Sequence, residues 1–143
     1  MKIAIGSDHG GYALKQQVME HLNSKGYEVE DLGCYSLDSV DYPQYGEAVA
    51  HTVAEGKADK GIVICTTGIG ISIAANKVKG IRCALCTDPY LAKMTRLHND
   101  ANMLSLGGGF TGDNLAFEIV DTFLTTEFSA EEKHQRRIDK IEQ

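Results

Sequence analysis

Short runs of continuous apolar residues alternate along the chain with stretches in which apolar residues recur every three or four positions. The runs predict strands at residues 2–7, 27–32, 61–66, 81–87 and 102–106. The periodic stretches between them predict helices. The first covers 12–24, where Leu14, Val18 and Leu22 fall four apart and Gly26 supplies a stop. Others are expected at 44–55, 71–77, 89–97 and 114–125. Ser129 with Glu132 three residues later matches a capping box, so a last helix is expected over 130–141. Strands that lack polar alternation and are separated by helices indicate a parallel sheet covered on both faces, an α/β fold. Ligands of such sheets bind at the carboxyl ends of the strands. Three loops belong there: 7–11, 65–72 and 107–109.

Composition narrows this picture without changing it. The 143 residues fit one domain, 1–143, and a domain of this size buries roughly 68–70% of its unfolded surface, enough for an ordinary core. Nothing reads as a linker, a repeat or low complexity. The four cysteines (Cys34, Cys65, Cys83, Cys86) sit in apolar contexts and no basic, apolar leader precedes Ile3, so reduced thiols in a cytoplasm are expected. The apolar stretches fall short of the roughly 20 residues that cross a bilayer. A formal net charge of −6 argues against a general nucleic-acid binder. Local anion binding through helix N-termini and a few placed cations is still open to it.

The most informative segment is 61–72, G-I-V-I-C-T-T-G-I-G-I-S. A buried strand that delivers a thiol to its carboxyl end, facing the N–H groups of a following helix, builds a nucleophile or base beside an anion site. The other cysteines read differently. Cys83 and Cys86 have redox-motif spacing, but residues three apart in a strand point to opposite faces, which makes both core residues. Cys34 reads as structural. His9 and His98 are ambiguous singly, and Asp8 beside His9 raises the interest of both neighbours. A dinucleotide fold competes, because Gly68-Ile69-Gly70 starts a G-x-G-x-x-G pattern with Asp88 about 20 residues further on. Against it, Ile73 occupies the third glycine position and the motif follows the third strand. A Walker loop is excluded, since no Gly-Lys-Ser/Thr follows the glycines. On the last helix Lys133, Arg136, Arg137 and Lys140 share one face, with His134, Ile138 and Ile141 on an adjacent one. Two readings stand: a solvated face balanced by Glu131, Glu132 and Asp139, or an anion clamp.

Motifs distributed over the whole chain sharpen this. G-S-D-H-G-G at 6–11, D-Y-P at 41–43, G-I-V-I-C-x-T-G-I-G-I-S-I-A-A-N-K at 61–77, G-I-R at 80–82 and H-N-D-A-N at 98–102 resemble the ribose-5-phosphate isomerase B family. The wider group includes galactose-6-phosphate and allose-6-phosphate isomerases. The resemblance implies a three-layer α/β/α sandwich with a five-stranded parallel Rossmann-like sheet and no metal or other cofactor. It also implies a homodimer, or a tetramer, whose active sites take residues from both subunits, with the segment 129–143 packing at the interface. The expected reaction interconverts ribose 5-phosphate and ribulose 5-phosphate through a cis-enediolate, Cys65 moving the proton between adjacent carbons. Backbone N–H groups from Thr67 through Gly68, Ile69 and Gly70 to Ile71 would hold the enediolate oxygen, with the Thr67 hydroxyl beside the thiol. By resemblance His98 serves ring opening, Asp8 and Asn99 hold hydroxyls, and His9 with the basic tail grips phosphate.

Three departures from the family pattern bear on the substrate. Thr66 stands where glycine usually follows the cysteine, and Gly109 where an arginine commonly binds phosphate. In the tail, alignment on His134-Gln135 selects Lys133 and Arg137, with Arg136 as the alternative. Lysine is a point charge and arginine a bidentate fork, so the phosphate grip should differ in geometry. A six-carbon phosphosugar is therefore the nearest alternative substrate. A non-catalytic nucleotide- or sugar-phosphate-binding sensor is the alternative of another class.

Overall fold

The computed structural model describes residues 1–143. The elements run β1 (Lys2–Ser7), α1 (Tyr12–Ser24), β2 (Glu28–Asp31), α2 (Tyr42–Ala54), β3 (Lys60–Cys65), α3 (Ile69–Asn76), β4 (Cys83–Leu85), α4 (Pro89–Asn99), β5 (Met103–Gly107), α5 (Asp113–Thr125) and α6 (Glu132–Ile141). All five strands are parallel, in the order β2-β1-β3-β5-β4. From β1 the chain leaves to one side for β2 and returns on the other for β3, so the switch point lies between β1 and β3. The α/β class and the five-stranded parallel sheet expected from the sequence are found. No helix is long and apolar enough to cross a membrane.

Alternation along the strands divides the core in two. Ile3, Ile5, Ile62, Ile64, Leu104 and Leu106 pack toward Leu14 and Val18 of α1 and Ile119 and Phe123 of α5. Ala4, Val63, Cys65 and Met103 pack toward Val49 of α2 and Ile71 of α3. Each fully buried aliphatic side chain contributes about 1.5–3 kcal/mol relative to exposure, so the two faces together fix the strand register.

Several boundaries differ from expectation. Pro43 and Pro89 both lie in the first turn of their helices, where a missing N–H costs nothing, so α2 begins at Tyr42 rather than at Gln44. Asp88 caps α4 through Leu91 N–H at 2.8 Å, which accounts for the acid that a ribose-binding reading would need. Helix α4 continues to Asn99, two residues past its last apolar position. The capping box at Ser129 does not form. Its hydroxyl donates to the Leu97 carbonyl at 2.7 Å, and α6 starts only at Glu132 after Glu131. Of the three residues on the α6 face beside the cations, His134 and Ile138 are buried and Ile141 is exposed. Strand β4 shrinks to three residues at the sheet edge. There the Asn76 side chain pairs with Cys83, donating to its carbonyl at 2.9 Å and accepting its N–H at 2.7 Å.

Candidate active site

Strand β3 ends at Cys65 and the chain turns through Thr66, Thr67 and Gly68 into α3. The Cys65 thiol is buried on the α2/α3 face, and its sulfur accepts the Gly68 N–H at 3.1 Å. Gly68 is left-handed, with φ of +78°, and a Cβ there would stand 2.9 Å from the Leu106 carbonyl oxygen. Only glycine meets both conditions. Helix α3 starts at Ile69, earlier than its apolar period suggests, because the glycine cap opens it directly. The Thr67 hydroxyl accepts the Ile69 N–H at 3.1 Å. Gly70 then falls in the first turn, where the Tyr42 ring lies over it: a Cβ would come within 2.5 Å of Tyr42 Cζ. First-turn N–H groups have no intrahelical acceptor, so the thiol faces an electropositive cradle.

The first loop lies across the switch point from this turn. Asp8 is buried, its carboxylate accepting the Gly11 N–H at 3.1 Å. His9 Nδ1 accepts the Val40 N–H at 3.2 Å, which places the ring proton on Nε2, free to donate. A cleft of about 520 Å³ opens beside them, lined by Asp8, His9, Val40, Asp41 and Tyr42 among others. The third loop is fastened to the end of β3, with Gly108 N–H on the Cys65 carbonyl and Gly109 N–H on the Thr66 carbonyl, both at 2.8 Å. Thr66 is exposed, and its Cγ2 lies 2.8 Å from where a Cβ on Gly109 would begin. The two departures from the family pattern thus form one packing unit, the threonine methyl occupying the start of any side chain at 109.

A second group of expected residues sits elsewhere. His98 and Asn99 occupy the last turn of α4, before β5 begins, at the amino end of the sheet. Asn99 accepts the Thr95 hydroxyl at 3.1 Å on its side-chain oxygen, leaving its NH₂ to donate. The exposed His98 ring stacks on His134 of α6, centroids 4.4 Å apart, and His134 Nε2 lies 3.0 Å from a Glu131 carboxylate oxygen. Lys133, Arg136 and Arg137 are exposed on the same helix. Cys65 is in register with Gly107, and at about 3.3 Å per residue β5 puts about 13 Å between that level and its first residue, Met103, which His98 and Asn99 precede. One chain therefore gathers Asp8, His9, Thr66, Thr67, Gly68, Ile69 and Gly70 around Cys65, and sets His98, Asn99 and the α6 cations at the far end.

Cys83 and Cys86 pack into opposite faces of the sheet. Burial pushes the Cys86 thiol up to about 12, with Asp88 adding to the shift, and burial followed by the neighbouring Cys86 pushes Cys83 higher still. They do not form a redox pair. No local spacing marks His134 as a partner of His98, because the two lie on different helices.

Fold and crevice together define a class: an open parallel α/β protein holding a thiol at a helix N-terminus beside its switch point. Residues 3–141 match the family described as Ribose/Galactose Isomerase, and the chain belongs to that family. It is 47% identical to the ribose-5-phosphate isomerase B of Escherichia coli over 98% of this chain and 93% of that one. The Clostridium thermocellum ribose-5-phosphate isomerase B structure superposes with a TM-score of 0.98 at 56% identity, covering 99% of this chain and 95% of that one. The Thermotoga maritima enzyme of the same name gives 0.96 at 52% identity, covering 99% and 97%.

Proposed function

We propose that this chain interconverts ribose 5-phosphate and ribulose 5-phosphate, with Cys65 as the carbon-acid base. The observation that carries the reading is the Cys65 sulfur held by the Gly68 N–H at the mouth of α3. In the forward direction the thiolate takes the proton from the second carbon and returns it to the first. Between the two steps a cis-enediolate forms, and a proton moves from the second oxygen to the first. The charge that develops on oxygen faces the α3 N-terminus, where a single lost donor typically costs about 2.7–4 kcal/mol. The Thr67 hydroxyl and the backbone from Gly68 to Ile71 surround it. Asp8 holds a sugar hydroxyl, and His9 offers its Nε2 proton to the phosphate.

Ring opening and the rest of the phosphate grip come from a second copy. His98 and Asn99 stand too far from Cys65 in their own chain to reach it, so they complete the Cys65 site of a partner in a homodimer, with Arg137, Arg136 and Lys133 of the same copy beside them. The His134 stack and its Glu131 contact orient the His98 ring for that task.

Two measurements test the reading. Cys65→Ala should abolish turnover while phosphosugar binding survives, and turnover near the parental rate would end the case for this base. Comparison of kcat/KM on ribose, allose and galactose phosphates decides the substrate, because that ratio measures differential transition-state binding. Preference for a six-carbon sugar would replace the pentose assignment. Binding without turnover on any of them would leave a sensor.

A further inference from the structure

Ser105 is fully buried in the middle of β5, on the same sheet face as Met103 and in register with Val63. It is the one hydroxyl on an otherwise apolar stretch of that strand, and nothing in the reaction touches it. Its Oγ donates to the carbonyl of Gly68 at 2.6 Å, across 37 residues of sequence. Gly68 is the left-handed residue whose own N–H meets the Cys65 sulfur.

The two bonds act on different peptide planes. The Gly68 N–H belongs to the 67–68 peptide, which faces the thiol. Its carbonyl belongs to the 68–69 peptide, whose N–H is that of Ile69 at the start of α3. Glycine has the widest backbone freedom of any residue, so an unrestrained Gly68 would let both planes rock. Ser105 removes that freedom from one side and Cys65 from the other. We propose that Ser105 is a positioning residue for the isomerase site, holding the 68–69 peptide so that the α3 N–H groups and the Gly68 N–H keep their aim. The proposal rests on the reading of Cys65 as the base. A preorganised donor contributes most where charge develops, so its loss should appear in kcat rather than KM.

A structural role alone would also explain a buried hydroxyl, since an unpaired carbonyl at this place is costly. The test separates the two. Four variants are compared with the parent by steady-state kinetics and thermal unfolding, and the three at Ser105 also by the rate of Cys65 alkylation located by peptide mass mapping. Ser105→Ala removes only the oxygen. Ser105→Val and Ser105→Thr have nearly the same shape and differ in the hydroxyl, so overpacking affects both alike. Cys65→Ala controls for the underlying reading. The expected result is a kcat lowered about tenfold in the Ala and Val variants with KM within twofold, an altered Cys65 alkylation rate in both, and recovery of both properties in Ser105→Thr relative to Ser105→Val. An Ala variant with parental kcat, or Thr and Val variants equally slow, would overturn the assignment even if unfolding temperatures fall. Should Ser105→Ala be parental while Cys65→Ala is inactive, only the Ser105 assignment fails. Should Cys65→Ala itself turn over normally, both fail.

Discussion

If the site is assembled from two copies, mixed dimers must behave in a way that single-chain sites cannot imitate. His98 precedes the first residue of β5 by five positions, and Cys65 pairs with the last residue of that strand. The strand alone spans about 13 Å between those levels, longer than an imidazole side chain. Two hybrids, each co-expressed with different affinity tags and purified through both, give opposite forecasts. In a Cys65→Ala with His98→Ala hybrid, one shared site receives both intact residues and the other receives neither. Specific activity should be about half the parental value, one working site of two. In a hybrid of the parental chain with the Cys65→Ala/His98→Ala double variant, each shared site carries one defect, and activity should fall to background. Sites contained within single chains reverse both outcomes. A silent first hybrid and a half-active second would refute the shared arrangement.

Other expectations follow from contacts already described. Gly68→Ala forces a side chain into left-handed backbone against the Leu106 carbonyl and Leu85, and should lower unfolding stability by about 3 kcal/mol in urea titration; a loss under about 1 kcal/mol would contradict the packing. Lys15 is fully buried, its ammonium donating to Asp31 and to the Cys34 carbonyl, both at 2.6 Å. Lys15→Met should cost about 3 kcal/mol, and addition of Asp31→Asn should restore part of it, since the uncompensated carboxylate is then gone. The Cys86 thiol binds its proton more tightly folded than unfolded, so its contribution to stability is complete below the ordinary thiol range and is lost as pH rises from there toward about 12. The Cys86→Ala variant should lose less stability than the parent between about pH 8 and pH 10, and equal losses would argue against it. His98→Ala should slow a cyclic phosphosugar more than an open-chain analogue, whereas equal slowing would remove the ring-opening role.

Legibility in the sequence followed the range of the interactions. The β3–α3 turn could be read because an uninterrupted apolar run, a thiol and two glycines are consecutive, and each has one dominant conformational use. The last turn of α4 could not, since beyond Leu97 the helix carries only His98 and Asn99 and no apolar period marks it. Ser129 was misread as a cap because its local spacing fits a helix start, while in the fold its hydroxyl is taken by a carbonyl 32 residues away. The same holds for Ser105 and Gly68, and for the stacked rings of His98 and His134. Thr66 was legible as a departure but not in its consequence, which needs the third loop to be folded back against it.

The side chain of Asn76 has a meaning for assembly. By pairing with both backbone groups of Cys83 it imitates a short neighbouring strand and occupies hydrogen bonds that an edge would otherwise offer. The opposite edge, β2, is guarded by charge instead, with Glu28, Glu30 and Asp31 in four residues. With both margins protected, copies of this chain are steered away from joining strand to strand into a wider sheet. Any union of copies would then fall to helices and loops, the elements that carry the residues proposed for a shared site.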